Sequence, residues 1–141
     1  MITCTDSGGK PHGVTVNSFS SVSLDPPLIL FSLDRAASTF EHLTAASHFA
    51  VNILADDQTE VSRNFARTPG DRWSGVEFRS WDTGAPILAG ALAALECDMH
   101  AQHDGGDHVI VVGRVRRLAS RSEVMPLIYF RGRYCSLRDP D

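Results

Sequence analysis

At 141 residues the chain suits a single domain and is long enough to build a hydrophobic core without staples. Its 43% apolar and 21% charged residues, with 7 prolines and 11 glycines, exclude the disordered, collagenous and low-complexity classes. A formal net charge of -4 argues against a dedicated nucleic-acid binder, and no apolar run approaches the ~20 residues that cross a bilayer.

Met1 to Thr5 predicts a short strand, and Ser7-Gly8-Gly9-Lys10-Pro11 a turn. His12 to Ser23, rich in Val, Thr, Ser and Phe, reads as a strand running into a polar loop. Asp25-Pro26-Pro27 ends it, because proline cannot donate to a ladder. Leu28 to Leu33 is a continuous apolar run of strand length, expected to be buried on both faces. Ser38 with Glu41 forms a capping-box pattern at the start of a helix whose Phe40, Leu43 and Thr44 would face the core. Phe49 to Leu54 predicts a second buried strand. Asp57 with Glu60 repeats the capping pattern for a helix through Phe65 and Ala66, striped by Val61 and Phe65.

Thr68 to Pro86 is polar, rich in Gly and Pro, and holds Trp73 and Trp81; it predicts a long loop with one short strand at Val76 to Arg79. Three strands close the chain: Ala91 to His103, Asp107 to Ala119, and Leu127 to Tyr134. Asp104-Gly105-Gly106 signals a hairpin between the first two. No linker or internal repeat divides the chain. Strands outnumber helices and neighbour one another in sequence, so a mainly β (α+β) antiparallel barrel with two or three short helices is expected.

The chemistry-bearing signals start with absences. No GxGxxG, GxxxxGK[ST], GxSxG or HExxH occurs. Cys4, Cys97 and Cys135 are odd in number and form no CxxC, which points away from zinc ribbons and disulfides and toward a reducing cytoplasm. No N-terminal run resembles a signal peptide. Cys97, His100 and His103 share a three-residue spacing, but alternation along a strand turns His100 away from the other two, so no metal site is expected there.

Val14 to Ser23 packs five hydroxyl residues and one amide before the proline break. Such residues either cap turns and solvate an edge, or approach a flat heteroaromatic ring closely and read its rim with neutral hydrogen bonds. In Arg35-Ala36-Ala37-Ser38-Thr39, two hydroxyls sit at a predicted helix start behind a forked cationic donor. That pattern is compatible with N-capping and with anion binding alike. Gly105-Gly106-Asp107-His108 sets a histidine at a hairpin exit, either solvated or in contact with a ligand at a barrel mouth. Arg114, Arg116, Arg117, Arg121, Arg131, Arg133 and Arg138 crowd the C-terminal end, as solvated strand faces or as attraction for a phosphorylated cofactor.

Together the stretches HGVTVNSFSSVSLDPPLILFSLDRAAST, FAVNIL, GDHVIVVGRV and PLIYFRGRY resemble the flavin reductase-like family, the reductase components of two-component flavin monooxygenases. The resemblance runs from His12 to Tyr134, and its first stretch is the most specific. It implies one FMN-binding split β-barrel domain over residues 1–141 that forms a homodimer. By position, Thr15, Val16, Asn17, Ser18 and Ser21 would line the isoalloxazine and ribityl part of FMN or FAD. Ser32, Leu33, Arg35, Ser38 and Thr39 would surround the phosphate end. His108 and Tyr129 match positions beside the nicotinamide nucleotide, NADH or NADPH. Family members carry an N-terminal helix and a full first strand, so an N-terminal helix and part of that strand are expected to be missing before Met1-Ile2-Thr3-Cys4.

The implied activity is hydride transfer from NAD(P)H to flavin, with reduced flavin supplied to a partner monooxygenase. No certain catalytic side chain is expected, because the cofactors carry the chemistry. Two alternatives stay open: a flavoprotein that retains its FMN, and a non-catalytic split-barrel module that binds haem or a protein partner. Neither nucleic acid nor membrane is expected as a partner.

Overall fold

The computed structural model describes residues 1–66 and 70–137, so Thr68, Pro69 and Arg138 lie outside the described residues. Its strands are β1 (Ile2–Thr5), β2 (Pro11–Val14), β3 (Ser20–Leu24), β4 (Pro27–Asp34), β5 (His48–Ile53), β6 (Phe78–Ser80), β7 (Pro86–Leu88), β8 (Ala93–Gly105), β9 (His108–Ser120), β10 (Ile128–Phe130) and β11 (Arg133–Cys135). The helices are α1 (Phe40–Ala45) and α2 (Thr59–Ala66). Neither is long and apolar enough to cross a membrane.

Seven strands form one antiparallel sheet in the order β2-β1-β5-β8-β9-β4-β3. Where a strand running into a polar loop is expected over His12 to Ser23, the chain forms two strands, β2 and β3, and they occupy opposite edges of that sheet. Thr15 to Phe19 joins them. At full extension the link from Val14 to Ser20 reaches about 20 Å, whereas the edges of a flat seven-stranded sheet lie about 29 Å apart. The sheet must curl. Its two edges share no ladder among the described residues, so it curls without closing.

The core lies within this curl. Ile2, Cys4, Ile29, Phe31, Leu33, Phe49, Val51, Leu95, Cys97, Val109 and Val111 meet there, with Leu43 of α1 on top. Phe31 and Phe49 touch edge-to-face, their centroids 5.4 Å apart. On the other face of β5, Ala50 packs with Ala85, Ile87 and Ala94 beneath the β6–β7 hairpin. That hairpin is the expected long loop in part: β7 was not anticipated, and β6 starts two residues beyond Val76. It packs on β1 and β5. The second face of β4 lacks this cover, so Leu28, Leu30 and Ser32 are half-buried rather than fully buried.

Asn52 ties the layers together from a fully buried position. Its Oδ1 accepts from Leu88 N–H at 2.9 Å, and its Nδ2 donates to Thr3 Oγ1 at 3.1 Å and to the Pro86 carbonyl at 3.3 Å. Thr3 Oγ1 in turn donates to the Pro86 carbonyl at 2.6 Å. A satisfied buried network of this kind fixes one register of β7 against β1 and β5.

The other departures are local. The Ser38–Glu41 capping box does not form: successive turns at Ala37 and Phe40 carry the chain one residue further, and Thr39 becomes the N-cap without a side-chain bond. Helix α2 begins at Thr59, two residues past Asp57, because Gln58 supplies the first helical carbonyl. The strand expected over Leu127 to Tyr134 is a small hairpin, β10–β11. The β8–β9 hairpin turns on Gly106 and Asp107, where a φ of 77° at Gly106 meets the turn's need for a left-handed residue.

Cys4 and Cys97 are buried, and burial, followed by nearby carboxylates, pushes both thiols up to about 12. Cys135 is only partly covered. In the native protein a thiol-specific disulfide reagent is expected to modify Cys135 alone at neutral pH, with Cys4 and Cys97 following only on unfolding. The unfolded chain releases these thiol protons near pH 9.0 while the fold keeps them to about 12, so denaturant midpoints should fall as pH rises across that window. Fast modification of all three thiols in native protein contradicts the packing described.

Candidate functional site

The link between β2 and β3 is pinned at both ends. Thr15 N–H donates to the Phe65 carbonyl at 3.3 Å, and its Oγ1 donates to the Ser62 carbonyl at 2.8 Å. These bonds occupy carbonyls near the C-terminal end of α2, where helical partners run out. Three residues on, Ser18 Oγ accepts from Ser32 N–H at 2.8 Å and donates to the Ser32 carbonyl at 3.1 Å. The β3–β4 register pairs Ser20 with Leu30, so its continuation would pair Ser18 with Ser32. A side chain here replaces a rung of the ladder. Among the described residues, the N–H groups of Val16, Asn17 and Phe19 have no backbone partner.

Behind this link lies a half-open cavity of about 640 Å³. Its floor is apolar, built from Ile2, Val14, Val51 and Leu54, and Tyr129 and Tyr134 of the β10–β11 hairpin stand on one side. These tyrosines are a cross-strand pair with centroids 5.1 Å apart. Tyr134 is held twice: its hydroxyl donates to Ser62 Oγ at 2.9 Å, and the Arg63 guanidinium lies 5.4 Å from its ring. No lysine or arginine lines the cavity among the described residues, and Thr15, Asn17, Ser18 and Ser32 supply neutral hydrogen-bonding groups. His108 also lines it. The His108 hydrogen bond holds the Asp107 carboxyl below its usual range, so Asp107 stays ionised and accepts from Nδ1 at 2.7 Å. Nε2 of His108 makes no hydrogen bond among the described residues and stays open to a ligand.

Eight of the residues expected at the site line this cavity: Thr15, Val16, Asn17, Ser18, Ser32, Leu33, His108 and Tyr129. Ser21, Arg35, Ser38 and Thr39 do not. Ser21 is exposed on the edge strand β3. Arg35 is spent on the β8–β9 turn, with Nε donating to the Gly106 carbonyl at 2.9 Å and a guanidinium N–H donating to Asp104 Oδ1 at 2.7 Å. Ser38 Oγ accepts from Arg72 at 2.9 Å, and Thr39 Oγ1 is buried without a partner among the described residues. Sequence reasoning missed Asn52, Ser62 and Tyr134. Tyr134 was within reach, as an aromatic spaced from Tyr129 across a Gly turn; nothing local marks Ser62. Cys97, His100 and His103 do not converge, since Cys97 lies in the core while the histidines are exposed, and a bulge between Met99 and Ala101 shifts β8 between Cys97 and His103.

Residues 1–138 match the flavin reductase like domain family. A flavin reductase from Pseudomonas putida is 42% identical over 133 residues, which cover 94% of this chain and 78% of that protein. The reductase subunit HsaB of a flavin-dependent monooxygenase from Rhodococcus jostii (strain RHA1) is 36% identical over 141 residues, or 100% of this chain and 71% of that protein. Among solved structures, the NADH:FAD oxidoreductase SgcE6 of Streptomyces globisporus C-1027, in complex with NAD and FAD fragments, superposes with a TM-score of 0.93. It is 37% identical, over 99% of this chain and 85% of its own.

Proposed function

The chain belongs to the flavin reductase like domain family, and on that premise we infer that it is an NAD(P)H:flavin oxidoreductase that passes reduced flavin to a monooxygenase. The observation that carries this reading is the neutral cavity edged by the N–H groups of Val16, Asn17 and Phe19, which have no backbone partner among the described residues. When bound, the nicotinamide and the flavin supply the reaction itself, a hydride passing from nicotinamide C4 to flavin N5.

What the protein contributes is placement and electrostatics. Ile2, Val14, Val51 and Leu54 would exclude water from one face of a bound ring. The N–H groups of Val16, Asn17 and Phe19 would present donors to its rim, where negative charge grows on reduction. Ala37 lines the cavity and Ser38 follows it, carrying Arg72, so a phosphate tail reaching past Ala37 would meet both. His108 and Tyr129, which both line the cavity, would hold the nicotinamide against the ring, a proximity effect of up to ~7–11 kcal/mol. The half-open chamber suits a flavin that must leave once reduced. The curled sheet supports a split-barrel reading, and the exposed edge β3, with Leu24 96% and Val22 49% exposed, supports a homodimer through that strand.

Purified protein is expected to oxidise NADH or NADPH only when FMN or FAD is added. Asn17→Ala should raise the flavin Kd about tenfold, the worth of one lost hydrogen bond. His108→Ala should instead raise the NAD(P)H KM by a similar factor and leave flavin affinity almost unchanged. Equal loss of both ligands in each variant would contradict the two roles.

A further inference from the structure

We propose that Asp6, His12 and His42 form a zinc-binding site outside the flavin chamber. The tertiary fold alone assembles it. Asp6 opens the turn after β1, His12 lies on β2 opposite Cys4, and His42 sits on α1. One ligand atom from each lies within 4.8 Å of the other two. None of the three lines the flavin cavity.

The site is organised rather than merely crowded. Asp6 Oδ1 accepts from the N–H groups of Gly8 and Lys10, both at 2.9 Å, which leaves Oδ2 aimed at His12 Nε2, 2.8 Å away. Backbone support of this kind orients a ligating carboxylate in metal sites. The His12 and His42 rings lie face to face, with centroids 3.6 Å apart and planes 14° from parallel. Neutral imidazoles tolerate that contact; two imidazolium rings would repel. Ligands around tetrahedral zinc stand about 3.3 Å apart, so the present spacing must tighten. His42 is exposed, and its ring can turn edge-on toward Oδ2 without disturbing the core.

Two imidazoles and one carboxylate form a borderline donor set that selects zinc over magnesium or calcium, with a fourth position left for water. A cleft of about 430 Å³ lined by Asp6, Glu41, His42 and His48 gives the ion a path in. Once bound, the ion would clamp α1 to the β1–β2 edge of the sheet.

The test is competition for Zn²⁺ between chelator-stripped protein and a chromophoric chelator. One equivalent should bind, and zinc should raise the melting temperature. His42→Ala is expected to weaken binding at least tenfold and to abolish the melting shift. His100→Ala, which alters an exposed histidine on β8, should change neither. Because His42 is exposed, its loss should leave folding and flavin-dependent NADH oxidation intact, so this test stands apart from that of the reductase activity. No competition for zinc, equal affinity in His42→Ala, or equal displacement by Mg²⁺ overturns the proposal.

Discussion

Gly113→Ala is expected to destabilise the fold by about 3 kcal/mol or more, lowering the melting temperature by roughly 10 °C. Gly113 sits on β9 between its partners Ile29 and Met99, directly under the main core. A Cβ there would lie 2.4 Å from Phe49 Cζ, 3.1 Å from Phe49 Cε1 and 3.2 Å from Cys97 Cβ. Phe49 has nowhere to retreat, since it is fully buried and set against the edge of Phe31. The clash is with a ring inside a closed layer, not with a flexible side-chain end. A second change, Phe49→Leu, should recover part of the loss by removing the opposing atoms, so the two effects should be strongly non-additive. A Gly113→Ala protein that melts with the wild type would refute this account of the core.

Ser18→Ala is expected to raise the flavin Kd at least tenfold while costing only about 1 kcal/mol of stability. The hydroxyl bonds both backbone groups of Ser32, and its removal frees the middle of the Thr15–Phe19 link. The donors of Val16 and Asn17 are useful only while that link is held at both ends. Ordering it on each binding event would draw on the affinity. Ser18→Thr keeps the hydroxyl and should restore most of the binding. The readout is flavin fluorescence quenching, with the NAD(P)H KM at saturating flavin as the control that should hardly move. Unchanged flavin affinity in Ser18→Ala would remove Ser18 from the site.

How legible the molecule was in its sequence depends on the range of the interaction. Leu28–Leu33 and Phe49–Leu54 declared themselves as strands, because period and β-branched content act within a few residues. The turn at Gly106 did so through glycine chemistry. The Ser38–Glu41 pattern misled by one residue, since the turns after Asp34 set where α1 starts. Likewise the alternation argument over Cys97, His100 and His103 did not anticipate bulges, which arise from pairing with β9.

The hydroxyl-rich run before Asp25 and the histidine after Gly106 were determined by the chain order itself, and with them the chemistry a ligand would meet. Only the tertiary structure decided that Arg35 binds the β8–β9 turn, that Ser62 and Tyr134 wall the cavity, and that Asp6, His12 and His42 converge. The reason is physical. A residue's type sets which bonds it can make, but its partner is chosen by the curl of the sheet, which brings β2 and β3 within reach of one short link and sets distant segments side by side.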